Sequence, residues 1–223
     1  MKRIIAVALS LTAVTAVFAA EPKLADDKAK SSYSFGYQIG NNLKARTQDM
    51  DPASFSRGVQ DGLTGAKPAL SDQERNDAMT AYQDKMMKKQ QTTVEEAKKR
   101  GETYLADNKK KSDVKTLGSG VQYKVVKEGS GKSPKPTDTV SVNYKGTLVN
   151  GTEFDSSYKR GQPATFPVNG VIKGWQEVLP LMKEGAKWEV VIPPDMAYGD
   201  RGAGGAIGPG ETLLFDIELL KIQ

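Results

Sequence analysis

The chain has 223 residues, enough for one or two domains, and 26% of them are charged. It contains no His and no Cys, which excludes Ser-His-Asp and Cys-His nucleophile sets, histidine proton shuttles and disulfide staples. The formal charge is +5, of which Lys2 and Arg3 supply two, leaving +3 for the rest. The other lysines form short scattered runs, such as Lys98-Lys99-Arg100 and Lys109-Lys110-Lys111, that read as solvated helix faces and not as a nucleic-acid surface.

In chain order, Met1-Lys2-Arg3 is a short basic region, and Ile4 to Phe18 is apolar except for Ser and Thr. Val17-Phe18-Ala19 has the small-residue spacing of a signal-peptidase site. Residues 1–19 are thus expected to be an export signal, too short for a comfortable membrane span. No Cys is present to carry a lipid. The expected product is periplasmic or secreted, with no stable membrane insertion.

Residues 20–70 read as an N-terminal helical module. Asp51-Pro52 sets an N-cap and a first-turn Pro ahead of Ala53 to Leu63. Tyr33-Ser-Phe-Gly-Tyr-Gln-Ile39 is ambiguous: alternation fits a strand, whereas Phe35, Ile39 and Leu43 fit a helix. Gly36 and Gly40 would admit a second helix at close range, and Gly58 and Gly62 repeat their spacing. A module this small has little core of its own, and dimerisation would supply one. Ser71-Asp-Gln-Glu74 is a capping box. The Pro-free segment after it predicts one connecting helix within 71–112, of about 38 residues and about 57 Å. Its apolar residues are sparse, so it reads as an exposed strut between two bodies. Gly101 lies inside it at a cost of about 1 kcal/mol relative to Ala.

From 113 to 223 the pattern changes. Val121–Val126, Thr139–Leu148, Ala186–Ile192 and Thr212–Leu220 alternate or are β-branched, with Gly and Pro between them. Asn150-Gly151 signals a hairpin. One short helix fits around Gly174 to Leu179. The fold class is α+β, with an antiparallel sheet packed on one short helix.

The chemistry legible from residue types is sparse. No P-loop or dinucleotide-binding turn is present, and no carboxylate spacing suggests a metal site. No cofactor is expected. Gly202-Ala-Gly-Gly205 reads as a mobile loop. Asp155, between Phe154 and Ser156-Ser157, reads first as turn or cap chemistry. The aromatics Tyr144, Phe154, Phe166, Trp175, Tyr198 and Phe215 fall on different predicted elements. Aromatics so placed are core by default, and line a pocket only where a concave sheet stays open on one side.

Five ordered motifs then carry a resemblance: Val142-Asn-Tyr-Lys-Gly-Thr-Leu148, Asn150-Gly-Thr-Glu-Phe-Asp-Ser-Ser157, Val171-Ile-Lys-Gly-Trp175, Ile192-Pro-Pro-Asp-Met-Ala-Tyr-Gly199 and Thr212-Leu-Leu-Phe-Asp-Ile-Glu-Leu219. From about Gly118 onward the chain resembles the FKBP-type peptidyl-prolyl cis–trans isomerases. Its helical first half is similar to the secreted, dimeric macrophage-infectivity-potentiator-like branch, which resolves Tyr33 to Ile39 toward helix. The resemblance implies an all-α dimerisation module, a long connecting helix and an FKBP-type sheet wrapped on one helix. Tyr144, Phe154, Asp155 and Tyr198 are then the catalytic positions. Phe166, Val171, Ile172, Trp175, Ile207 and Phe215 are the substrate-binding ones. Trp175 would form the floor, the Ile172 N–H and the Tyr198 hydroxyl would bond substrate carbonyls, and Asp155 would pair with Tyr144. Ala164, Ala203 and Ala206 depart from larger residues common in the family. The implied partners are unfolded or partly folded polypeptides with X–Pro bonds, a second copy of the chain, and macrolide inhibitors, with no cofactor, metal or nucleic acid. The implied activity is acceleration of proline-limited folding, with chaperone activity from a dimer. The alternatives are a holdase or a proline-motif binding module with little turnover.

Overall fold

The structure is a computed structural model and describes residues 23–44 and 50–223. The expected export signal lies outside the described residues. The chain divides into two compact units at Ser71/Asp72. No described helix is long and apolar enough to cross a membrane.

Two helices lie among the described residues of the first unit. Helix α1 spans Asp27–Lys44 and includes Tyr33 to Ile39, so the helical period prevails there over the alternating one. Helix α2 spans Pro52–Thr64. Its start follows from the sequence: the Asp51 carboxylate accepts from Ser54 N at 2.8 Å, and Pro52 needs no partner in the first turn. Neither helix buries a single residue.

The second unit begins with α3, Asp72–Asn108, a continuous helix of 37 residues. Seven strands follow: β1 (Val114–Thr116), β2 (Gln122–Lys127), β3 (Thr139–Leu148), β4 (Glu153–Ser156), β5 (Ala164–Pro167), β6 (Lys187–Ile192) and β7 (Leu213–Ile222). They form one sheet in the order β1-β2-β6-β7-β3-β4, with β5 also paired to β3, and all pairs are antiparallel. Alternation decides the faces. On β3, Val140, Val142, Tyr144, Gly146 and Leu148 point inward, and on β7 Leu213, Phe215, Ile217 and Leu219 do the same. Register sets Tyr144 opposite Ile217 and Gly146 opposite Phe215. Helix α5, Lys173–Val178, covers this inner face with Trp175 and Val178, and Leu179 follows in a 3₁₀ turn.

Two features differ from the sequence expectations. A second short helix, α4 (Ser157–Arg160), follows β4 directly, capped by the Ser156 hydroxyl. The connecting helix is not an exposed strut throughout: Ala97, Gly101 and Asn108 are buried. The Asn108 amide donates to Gln122 Oε1 at 2.8 Å, and Gln122 donates to the Leu105 carbonyl at 2.9 Å. A mean over 37 residues hides a short stripe confined to the last turns.

Candidate functional site

Between α5, β3, β5 and the turn at Tyr198, the inner face stays open as a cavity of about 430 Å3. Its walls come from Tyr144, Phe154, Asp155, Phe166, Val171, Ile172, Trp175, Tyr198 and Phe215, with Gly170 and Ala197. Nine of the ten residues marked in the sequence are therefore brought together. The tenth, Ile207, is buried in the core and pairs with Ala203 through two backbone bonds of 2.9 and 3.0 Å. It is not among the lining residues. The loop expected to be mobile at Gly202–Gly205 contains this bridge and is closed by Gly210 N donating to Gly199 O at 2.9 Å.

The floor is a ring cluster. Trp175 meets Tyr144 and Phe215 edge-on at 5.3 Å each and Phe166 at 6.1 Å. Phe154 meets Phe215 edge-on at 5.6 Å. Such T-shaped pairs place positive ring edges on negative faces and fix each ring's orientation. The Trp175 indole N–H is buried with no protein acceptor among the described residues. Ile172 caps α5, its carbonyl accepting from Trp175 N at 3.0 Å and Gln176 N at 3.1 Å.

Gly146 explains how two rings reach the same patch of sheet. A Cβ there would stand 2.5 Å from Phe154 Cζ and 2.9 Å from Phe215 Cε1. Only a residue without a side chain leaves both rings in place.

One wall is polar. The Tyr144 hydroxyl and the Arg160 guanidinium both donate to Asp155, and Arg160 also donates to the Tyr144 oxygen at 2.9 Å. The guanidinium carbon sits 5.4 Å from the Tyr144 ring centroid. Ser156 N adds a bond to Asp155 at 2.8 Å. Burial pushes the Asp155 carboxyl up, but the bonds from Tyr144, Arg160 and Ser156 outweigh it and hold the group below its ordinary value. Burial first, and then the neighbouring carboxylate, push the Tyr144 phenol above its ordinary value. Asp155 is therefore a carboxylate near neutrality and Tyr144 a phenol. Neither is poised to pass a proton.

Arg160 is the residue that sequence reasoning missed. Its signal was present: a Ser N-cap directly after Asp155 starts a helical turn, which folds the chain back so that a residue a few positions on can reach the carboxylate. The two serines hold this corner. Ser157 Oγ accepts from Tyr144 N at 2.9 Å, and Ser156 Oγ accepts from Lys159 N at 3.4 Å. A larger hollow of about 590 Å3 lies along α3, lined mainly by charged and polar groups with Tyr104 its one aromatic. It has no ring cluster and no buried carboxylate.

Known proteins match throughout. The family profile described as "FKBP-type peptidyl-prolyl cis-trans isomerase" matches residues 130–220. The one described as "Domain amino terminal to FKBP-type peptidyl-prolyl isomerase" matches residues 28–125. "Outer membrane protein MIP" of Legionella longbeachae is 42% identical, covering 100% of this chain and 98% of its own. "Peptidyl-prolyl cis-trans isomerase Mip" of Coxiella burnetii is 43% identical over 100% of this chain and 99% of its own. Among solved structures, FkpA from Escherichia coli matches at a TM-score of 0.65 and 38% identity, covering 89% of this chain and 98% of that one. Likeness of this extent, end to end and in both halves, means that the chain belongs to the FKBP-type peptidyl-prolyl cis–trans isomerases.

Proposed function

We propose that this isomerase acts on X–Pro bonds of exported polypeptides, binding the proline in the aromatic cavity over Trp175. The observation that carries the reading is the pairing of a ring-lined floor with one ionised, fully hydrogen-bonded carboxylate at the wall. An X–Pro bond turns over a barrier of about 18–20 kcal/mol without making or breaking a covalent bond. The barrier is lost amide resonance. The planar amide is more dipolar than the twisted one, so water favours the planar form. A dry aromatic pocket removes that preference, and directed hydrogen bonds hold the twisted form. An acceleration of about 10⁵ needs about 7 kcal/mol of differential stabilisation, within reach of such terms. In this reading Trp175, Phe166 and Phe215 receive the ring, with Val171 flanking it. The Ile172 N–H, which meets no backbone acceptor among the described residues, and the Tyr198 hydroxyl bond the substrate carbonyls. Asp155 orients Tyr144 and sets the field. Location in the periplasm or outside the cell rests on the leader-like start of the sequence.

The test uses a protein whose refolding waits on a trans-to-cis proline step. Catalytic amounts of the chain from residue 20 are expected to speed that slow phase, at a rate linear in enzyme. Suppression of aggregation with no change in the slow phase would instead favour the holdase reading.

Assembly as a homodimer through the N-terminal helices rests on a separate observation. Tyr33, Phe35 and Tyr37 on α1 are 57%, 67% and 62% exposed, and among the described residues nothing stands within 4 Å of the Cβ positions of Gly36 and Gly40. An aromatic helix that buries nothing needs a partner surface. Two such arms would give bivalent capture of a non-native chain, which supports added chaperone activity. Sedimentation is expected to give twice the monomer mass, and Phe35→Asp a monomer with turnover of short peptides retained. A monomeric wild-type chain would remove the dimer reading.

A further inference from the structure

The last turns of α3 are seated on the loop that leaves the cavity. Val94, Ala97, Lys98, Gly101, Leu105 and Asn108 recur at steps of three and four, one face of a helix. Gly101 is the point of closest approach: a Cβ there would stand 2.1 Å from Thr212 Oγ1 and 3.0 Å from Thr212 Cβ. Thr212 is 1% exposed. Gly inside a helix costs about 1 kcal/mol relative to Ala, and this contact is what that cost secures. Near the start of the loop, Lys98 Nζ lies 2.8 Å from the Asp200 carboxylate. Near its end, Arg100 lies 3.2 Å from Glu211, whose side chain is 12% exposed. Gly210 takes φ +73°, and its Cβ position lies 3.0 Å from the Val94 carbonyl and 3.3 Å from Lys98 Cγ. The loop therefore meets the same helix face at both ends, and its first residue directly follows Tyr198, a wall of the cavity.

We propose that the second half of α3 is a positioning element of the isomerase pocket. Gly101 seated on Thr212, with the Lys98–Asp200 and Arg100–Glu211 pairs, fixes the 199–212 loop and so the place of Tyr198 at the rim. Gly101 and Thr212 touch no substrate. They act through the loop, and the inference rests on the reading that Tyr198 belongs to the substrate site. The helix thereby belongs to the pocket it supports.

The experiment is a substitution cycle in the chain from residue 20, assayed on an X–Pro tetrapeptide. Gly101→Ala is the favourable change for an isolated helix, so helix content by circular dichroism is expected to hold or rise. A small displacement of a substrate-contacting group is enough to lower kcat/KM, here by about three- to tenfold and mainly through KM. Amide exchange at Ile207 and Gly210 should quicken in parallel. Thr212→Ala removes the atom nearest the new methyl, so in the Gly101→Ala background it is expected to recover most of the loss. Arg100→Glu leaves the core untouched and is expected to cost about twofold, restored by Glu211→Arg. Wild-type kcat/KM and wild-type loop exchange in both Gly101→Ala and Arg100→Glu would overturn the inference, as would a Gly101→Ala loss that Thr212→Ala does not relieve. Failure of the underlying pocket reading has a different signature, which is full turnover in Asp155→Ala whatever the α3 variants do.

Discussion

Asp155→Ala is expected to lower kcat/KM on an X–Pro peptide by about 10- to 100-fold, less than the roughly 10²- to 10³-fold for losing a donor aimed at a developing charge, because Asp155 acts at the wall through Tyr144. The fold should survive, because Asp155 lies at the wall of the cavity and the fully buried side chains are elsewhere, among them Val140, Val142, Ile217 and Leu219. The loss has a local cause. Tyr144 and Arg160 both donate to this carboxylate. Without it the phenol loses its fixed direction and the guanidinium becomes an unbalanced charge beside the pocket. Asp155→Asn keeps the shape and removes the charge, so it should fall between wild type and Asp155→Ala. Equal activity in all three would remove the carboxylate from the site.

The same cluster fixes the response to pH. The folded-state pKa of Asp155 is depressed. Its contribution to stability is therefore present above the unfolded value, about 3.9, and is lost as pH falls through the lower folded value. The Tyr144 phenol is raised above its ordinary value, and the chain has no His. Between about pH 5 and pH 9 nothing in the Tyr144–Asp155–Arg160 cluster changes charge, so kcat/KM should be flat there. A bell with a limb near pH 6 or 7 would point to a proton-transferring group and contradict the proposed mechanism.

Gly146→Val is expected to act in the direction opposite to strand propensity. Val favours a strand far more than Gly does, and residue 146 sits mid-strand on β3. Yet its Cβ would stand 2.5 Å from the Phe154 ring and 2.9 Å from that of Phe215. Forcing bulk into a packed site costs about 1–3 kcal/mol, which for a chain of this size lowers Tm by about 2–12 °C. The Phe154 ring, at the edge of the cavity, is the one free to swing. Loss of that wall should reduce kcat/KM by about tenfold, carried mostly by KM. A stabilised, fully active Gly146→Val would show that ring placement does not depend on this gap.

How much of this was legible in the sequence depended on whether a single residue type could be satisfied in more than one way. β3 and β7 were plain because inward positions alternate along all of β3 and along β7 as far as Leu219. Nine of the ten marked residues meet at one cavity. The tenth, Ile207, is an apolar side chain on a Gly-rich loop, and sequence does not tell whether such a side chain turns outward to a pocket or inward to a core. Tyr33 to Ile39 satisfied two periods at once. Gly101 could be read only as a local penalty, since its compensation is a threonine 111 positions away. Arg160 was hidden for the opposite reason. Exposed arginines are common, and this one matters only because a four-residue helix folds it back onto Asp155.

The β4–α4 corner has one further consequence. Asp155 and Arg160 both lie within six consecutive residues, on a segment closed by the Ser156 cap, and both bond the Tyr144 hydroxyl through their side chains. The ring floor is gathered instead from β3, β5, α5 and β7. Charge and shape are thus set largely by different segments, meeting at Tyr144 and at Phe154, the one ring that β4 contributes. Exchange of residues 155 and 160 alone, with the buried Ser156 and Ser157 kept, is expected to retune the charged wall without repacking the interior, and drift in the interior is expected to leave that wall intact as long as Tyr144 stays.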